Sequence, residues 1–501
     1  MKVIEINNVT QKFRNGLSQK TILENINLTV NSGEFIWLQG DGGAGKTTLL
    51  SQICGLITPS SGEIKLMGLD PKDANSKLDV GVVLQETQVP KNTKVKELLE
   101  LVRSYSPNPL LLSNEEILAL VNLTKPGIID AEIATLAGSE KQRLYFALAL
   151  AINPKLIILD EPTRNLDKES WEVFWQQIKH CHEQGVTILV TTHNPGDSEK
   201  IRELATRIIK LYPPSEASVT GQLVEESVVD NKEIPVKLPN DKENETLTPI
   251  ETTPRNLLAI FKKQFEFEVT QLRRTPTFLL ATLSIVGFVP LLKFQPGFQP
   301  GKVSIDQLIY LCGIILFIIA IERLSKRVAV ERAEGWLKLL KTTSLPPVVY
   351  IAAKIASLLI VCAIAILSIF ILGYWQLGIH ESLGLYLSIF ICSIIGIIPF
   401  AILGLELGYL VHPKSADSIL SLSLFIIPFA CGIFPLPFKP KLMQDLVSLS
   451  PFYHYKELVL SVAQSHIDTR IILHLLWLIW AFGFFGLSAI WVYKRDRAIV
   501  K

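Results

Sequence analysis

Eight consecutive residues, Gly40-Asp41-Gly42-Gly43-Ala44-Gly45-Lys46-Thr47, have the GxxxxGK[ST] spacing of a loop that wraps phosphate. The glycines let successive backbone N–H groups curl around a β-phosphate, and the N-terminus of a following helix adds partial positive charge. Lys46 is long enough to reach β- and γ-oxygens, and the Thr47 hydroxyl can ligate Mg²⁺. Ala44 and Thr48 complete the positions expected to contact nucleotide. A second element, Leu156-Ile157-Ile158-Leu159-Asp160-Glu161, is an apolar run ending in two carboxylates. Asp160 is placed to hold Mg²⁺ through water, and Glu161 to polarise an attacking water. The chemistry this points to is hydrolysis of ATP with Mg²⁺.

Such groups need a rigid frame. The run Glu34 to Leu38 precedes the glycine loop as a strand, and a helix over Thr48 to Gly55 follows it. Val3 to Ile6 and Ile26 to Val30 read as further strands. Lys155 to Leu159 and Val186 to Val190 are near-continuous apolar runs, as in strands buried on both faces of a parallel sheet. Between them, Glu140 to Ile152 has helical spacing and stops at Asn153-Pro154. The order is α/β.

With these motifs in this order, residues 1 to 215 resemble the nucleotide-binding domain of ABC transporters, a P-loop NTPase. That resemblance implies further roles. Gln85, in Val82-Val83-Leu84-Gln85, matches the glutamine that senses Mg²⁺ and the lytic water. Phe13 takes the place of the aromatic stacked on adenine, where tyrosine is commoner. Leu166-Asp167 matches the loop that communicates across a dimer, and His193 matches the histidine on the γ-phosphate. The signature segment departs from the family's LSGGQ, reading Leu136-Ala137-Gly138-Ser139-Glu140-Lys141-Gln142-Arg143. Ala137 lacks the hydroxyl that meets the partner's ATP, a loss of ~1.5 to 3 kcal/mol for one bond to a charged group. Gly138 and Ser139, at a helix N-terminus, still offer backbone N–H groups to phosphate. Slower but real hydrolysis is the expectation.

Composition divides the rest. A chain of 501 residues exceeds one compact core, and the apolar back half raises the mean hydropathy to +0.34. Net charge is +2 with no basic tract among aromatics, so no nucleic-acid partner is indicated. The six cysteines form no CxxC pair and indicate neither a zinc site nor a disulfide framework. The opening MKVIEINNVT alternates in polarity and does not read as a cleavable signal. Residues 216 to 254 are acidic and proline-dotted, as in a flexible polar linker. Residues 255 to 274 form a basic amphipathic helix, read either as lying on the membrane surface or as packed on the ATPase.

Six spans are expected, at about 277 to 293, 305 to 321, 350 to 373, 384 to 410, 416 to 435 and 471 to 493. The fold class is thus an α/β ATPase followed by an all-α six-helix transmembrane domain over 255 to 501. Arg323, Lys326, Arg327, Arg332, Lys338 and Lys341 between spans two and three, and Lys494, Arg495, Arg497 and Lys501 after span six, place those segments in the cytosol. The ATPase and both termini are then cytosolic, and the spans lie in the plasma or inner membrane.

The segment from Glu331-Arg332-Ala333-Glu334-Gly335-Trp336 to Leu345-Pro346-Pro347 resembles the cytosolic segment of ABC type-2 permeases, which in that family forms the helix that docks on the ATPase. ATPase-first order resembles the G subfamily of half-transporters. The resemblance implies a dimer, with a second copy or a paralogous half-transporter, exporting a substrate. No span is dense in acids or histidines, which favours a lipophilic or amphipathic substrate. A mechanotransmitter or lipid-extracting machine is the alternative. Glu406 within an apolar run reads either as a functional acid or as a residue among headgroups. Gly404 and Gly408 form a small-xxx-small pair, and Pro399 and Pro428 are expected to kink spans four and five.

Overall fold

The computed structural model describes residues 1–15, 18–85, 87–214, 222–227, 255–275, 304–411, 447–464 and 470–495, with the single positions 287 and 415. In chain order the front half forms β1 (Lys2–Asn15), β2 (Ser18–Asn31), β3 (Phe35–Gln39), α1 (Lys46–Ile53), β4 (Ser61–Leu66), β5 (Val80–Val83), α2 (Val95–Tyr105), α3 (Asn114–Leu120), α4 (Gly138–Ala151), β6 (Leu156–Asp160), α5 (Lys168–Glu183), β7 (Thr187–Thr191), α6 (Pro195–Leu204), β8 (Arg207–Leu211) and β9 (Leu223–Ser227). The back half forms α7 (Leu257–Arg274), α8 (Ile305–Ala333), α9 (Trp336–Thr342), α10 (Pro347–Leu377), α11 (Leu383–Leu410), α12 (Pro451–Ala463) and α13 (Arg470–Arg495). Two compact units result, one over 1–263 and 334–346, the other over 264–333 and 347–496.

In the first unit, the antiparallel sheet β2-β1-β4 stands beside a six-stranded sheet ordered β5-β6-β7-β3-β8-β9. Strands β5, β6, β7, β3 and β8 run parallel, and β6 and β7 are buried along their whole length. Their unbroken apolar runs follow from burial on both faces. Strand β9 closes the edge antiparallel to β8 and lies inside the stretch expected to be linker, which corrects that boundary. Gln222 explains the attachment: its side-chain carbonyl accepts the Glu24 N–H at 2.8 Å, and its amide donates to the Ile22 carbonyl at 2.9 Å. Leu223 packs against the core that Ile4, Leu38, Leu49 and Ile209 build.

Four helices of the second unit, α8, α10, α11 and the stretch Arg470–Tyr493, are long and apolar enough to cross a bilayer. They correspond to expected spans two, three, four and six, while 277–293, 416–435 and Pro428 lie outside the described residues. Helix α11 breaks at Ile397, and Pro399 sits in the first turn of its second half, where its missing N–H costs nothing. Gly404 and Gly408 pack against α8 of the same chain: the Ser325 hydroxyl donates to the Gly404 carbonyl at 2.5 Å, and a Cβ on Gly408 would stand 2.7 Å from that of Val328. The Glu406 carboxylate accepts a hydrogen bond from Ser488 on α13 at 2.6 Å.

Of the cations between spans two and three, Arg323, Lys326, Arg327 and Arg332 lie on helix α8, which continues to Ala333, and Lys338 and Lys341 lie on α9. Lys326 pairs with Glu322 at 2.8 Å, and Arg327 with Glu268 at 2.7 Å and Glu331 at 3.1 Å. Lys354, fully buried on α10, faces both acids, 3.1 Å from Glu268 and 2.7 Å from one Glu331 oxygen. Two acids and two bases thus balance in one buried group, as low dielectric demands.

Candidate active site

Backbone geometry explains the glycine loop. Gly43 and Gly45 have φ of +85° and +105°, values that a side chain resists, and a Cβ on Gly45 would stand 2.8 Å from Leu23. Gly45 is the N-cap of α1, so the helix begins at Lys46, two residues earlier than expected. The Lys46 ammonium donates to the Gly40 and Asp41 carbonyls at 2.6 and 3.1 Å. Burial lowers its pKa, and the nearby Glu161, Asp160 and Asp41 carboxylates oppose that shift.

Asp160 ends β6 directly opposite Thr191 on β7, whose hydroxyl donates to Oδ1 at 2.7 Å. The next residue leaves the strand with φ +53°, a left-handed conformation that costs energy outside glycine. That turn aims the Glu161 carboxylate at His193, whose N–H donates to Oε2 at 3.2 Å and whose Nε2 lies 3.6 Å from Oε1. Asp160 Oδ2 and Glu161 Oε1 are buried and have no hydrogen-bond partner among the described residues. Two unsatisfied acidic oxygens beside a threonine hydroxyl are the donor set a hard cation takes, so the residues fit Mg²⁺.

These groups meet in one cleft of about 490 Å³, within the range of small-molecule sites. Phe13, Gly43, Gly45, Lys46, Thr47, Thr48, Gln85, Asp160, Glu161 and His193 line it, while Gly40, Gly42 and Ala44 belong to the same loop without lining the cleft. Phe13 also packs against the sheet core. Lys20 and Ile22 line the cleft as well and were not expected: both belong to β2, which reaches the site through its antiparallel pairing with β1, including Lys20 opposite Phe13.

Gly138, Ser139 and Asp167 are absent from the lining of this cleft. Helix α4 starts at Gly138, two residues before the helical spacing begins at Glu140, and a Cβ there would lie 3.9 Å from that of Asn165, so the signature turn adjoins the loop carrying Asp167. Asp167 caps α5 by accepting the Ser170 N–H at 2.9 Å, which holds its carboxyl below the usual range. Ala137 has no side-chain acceptor for its helix, and Glu140 reaches back to accept the Ala137 N–H at 2.9 Å while pairing with Lys125. Both contacts, the Lys125 pair first, lower the Glu140 pKa.

Asp197 was not singled out by its sequence context. It is fully buried and accepts from the Thr163 and Thr192 hydroxyls at 2.5 and 2.6 Å, and from Trp171 and Trp175 at 2.6 and 3.1 Å. It therefore ties the turn after Glu161 to the turn before His193. A carboxylate four residues after a histidine at a strand end, with two tryptophans four apart, was the available signal.

A family model described as ABC transporter matches residues 23–164, and one described as ABC-2 family transporter protein matches residues 225–491. An energy-coupling factor transporter ATP-binding protein of Clostridium acetobutylicum is 33% identical over 236 residues, covering 44% of this chain and 80% of that one. A Nod factor export ATP-binding protein of Rhizobium meliloti is 32% identical over 209 residues, covering 40% and 59%. Among solved structures, a dimeric post-hydrolysis ATP-binding cassette bound to ADP and Pi is 26% identical with a TM-score of 0.40, covering 46% and 100%. The chain belongs to the ABC transporter family, an ATP-hydrolysing domain joined to an ABC-2 permease domain, and is an integral membrane protein.

Proposed function

We propose that two such chains, identical or paralogous, close on two ATP molecules and use that closure to export a lipophilic or amphipathic substrate from the cytosol. The observation that carries this reading is the separation within one chain of the phosphate cleft from the Gly138, Ser139 and Asp167 patch. A phosphate held against Lys46 and the loop amides meets half of its polar partners, and the backbone N–H groups at the start of α4 are suited to be the other half when a second chain brings them. Lys46 leaves its loop carbonyls for the β- and γ-oxygens. Thr47 and Gln85, with Asp160 through water, would hold Mg²⁺, which neutralises phosphate charge. Glu161 accepts a proton from the attacking water, and His193 positions the γ-phosphate. The Thr191 bond keeps Asp160 oriented.

Export is supported by ATPase and permease sharing one chain and by the likeness to an export ATP-binding protein. The ATPase side of the membrane is the cytosol, where ATP is. Inside-out vesicles supplied with MgATP test this. Wild-type vesicles should accumulate an amphipathic dye or move a fluorescent phospholipid, and Glu161→Gln vesicles should not. Equal movement in both would remove transport from the reading.

A further inference from the structure

Asp197 is a charge fully buried in the ATPase unit, and its four partners are neutral N–H and O–H donors. They divide between its two oxygens. Oδ1 accepts the indole N–H groups of Trp171 and Trp175, about one turn apart on α5. Oδ2 accepts both threonine hydroxyls, that of Thr163 from the turn after Glu161 at 2.5 Å and that of Thr192, next to His193, at 2.6 Å. One oxygen atom therefore limits how far the two turns can part, and α5 holds that oxygen in place. Bonds to an ionised acceptor are roughly twice as strong as neutral ones, so the limit is firm.

The turn that carries Glu161 needs such a limit. At φ +53° it is strained, and strain of this kind persists only where the surroundings over-determine it. Backbone bonds close the turn from within, Arg164 N–H to the Glu161 carbonyl at 3.3 Å and Leu166 N–H to the Thr163 carbonyl at 3.1 Å. The bond from the His193 N–H to the Glu161 carboxylate joins the two sides directly, but it occupies the group that must serve the attacking water. The link through Asp197 occupies neither working side chain and so can stay made during turnover. On the far side Thr192 also accepts the Asn194 N–H at 3.0 Å, which fixes its hydroxyl at the start of α6.

We propose that the Asp197 carboxylate is a positioning group for ATP hydrolysis: through Thr163 and Thr192 it keeps Glu161 and His193 in the mutual geometry that turnover requires. Asp197 does not line the cleft and acts on nucleotide only through those two residues. The proposal rests on the reading of Glu161 as the base and of His193 as the γ-phosphate contact. It assigns the rate, and not the affinity, to this buried link.

Thr163→Val deletes one hydroxyl and frees the Glu161 side alone. In the full chain in phospholipid nanodiscs, kcat for phosphate release should fall about ten- to a hundredfold, the scale of a reacting group misplaced by about 1 Å, while MgATP affinity and the number of nucleotide sites per chain hold. Thr163→Ser keeps the hydroxyl and should recover most of the rate. In a Glu161→Gln chain, the Thr163→Val change should slow single-turnover release no further, because the group it misplaces is already silent. Wild-type turnover in Thr163→Val, or an equal loss in both backgrounds, would overturn the proposal, since a chain that merely folds less well loses rate in both. Thr192→Val cuts the other arm and should cost a similar factor, which decides the matter if Thr163→Val folds poorly. Undiminished turnover in Glu161→Gln itself would remove the reading of Glu161 and this proposal with it, whereas additive losses remove this proposal alone.

Discussion

Replacing Glu161 with glutamine is expected to cut ATP turnover by about 10²- to 10⁴-fold, the usual worth of a positioned general base, with ATP affinity little changed. Glutamine has the same shape, keeps an oxygen to accept the His193 N–H, and tolerates the same strained backbone at φ +53°. What it cannot do is take a proton. Loss of turnover with retained nucleotide binding, measured by phosphate release and by equilibrium binding on the same preparation, follows if Glu161 activates water. A variant that turns over at a tenth of the wild-type rate or faster would move the base elsewhere.

The second large effect concerns stability. Lys354→Met should destabilise the membrane unit by about 3 to 5 kcal/mol, because Glu268 and Glu331 are left facing each other with Arg327 as their one remaining partner in the group. Methionine fills the space well enough that a cavity is not the cause. Removing one acid as well separates charge from packing: Lys354→Met with Glu268→Gln restores neutrality and should recover most of the loss. Thermal unfolding in lipid nanodiscs reads both variants. A single variant as stable as wild type would mean that the four charges do not act as one group.

Much of the ATPase site was legible because its chemistry sits in contiguous stretches. Glycine spacing marked the phosphate loop, and the apolar run ending in Asp160-Glu161 gained its meaning from that loop upstream. Asp197 was not legible, since its donors come from residues between 5 and 34 positions away and meet only when β6 and β7 pair. Strand β9 was hidden for another reason: five residues in an acidic, proline-dotted stretch have no period of their own and are fixed by Gln222 bonding to β2. In the membrane half, hydropathy located apolar spans but could not pair the cations with their acids. The pairing of Arg327 was hidden because its partner Glu268 lies 59 residues earlier and the neutralising Lys354 follows on another helix.

A cross-chain site makes a demand that a self-contained one does not. In the proposed dimer, Glu161→Gln disables the chain that holds ATP, and Gly138→Asp places a negative charge where the signature turn would meet the partner's phosphate. A Cβ on Gly138 would make only an ordinary contact, 3.9 Å from that of Asn165, so the second variant should fold. Each variant alone should be inactive. Coexpressed, a mixed dimer pairs the intact cleft of one chain with the intact signature turn of the other, and ATP turnover well above either variant is the predicted result. Turnover no higher than that of the two inactive variants would show that the cleft and signature patch do not complete one another across chains.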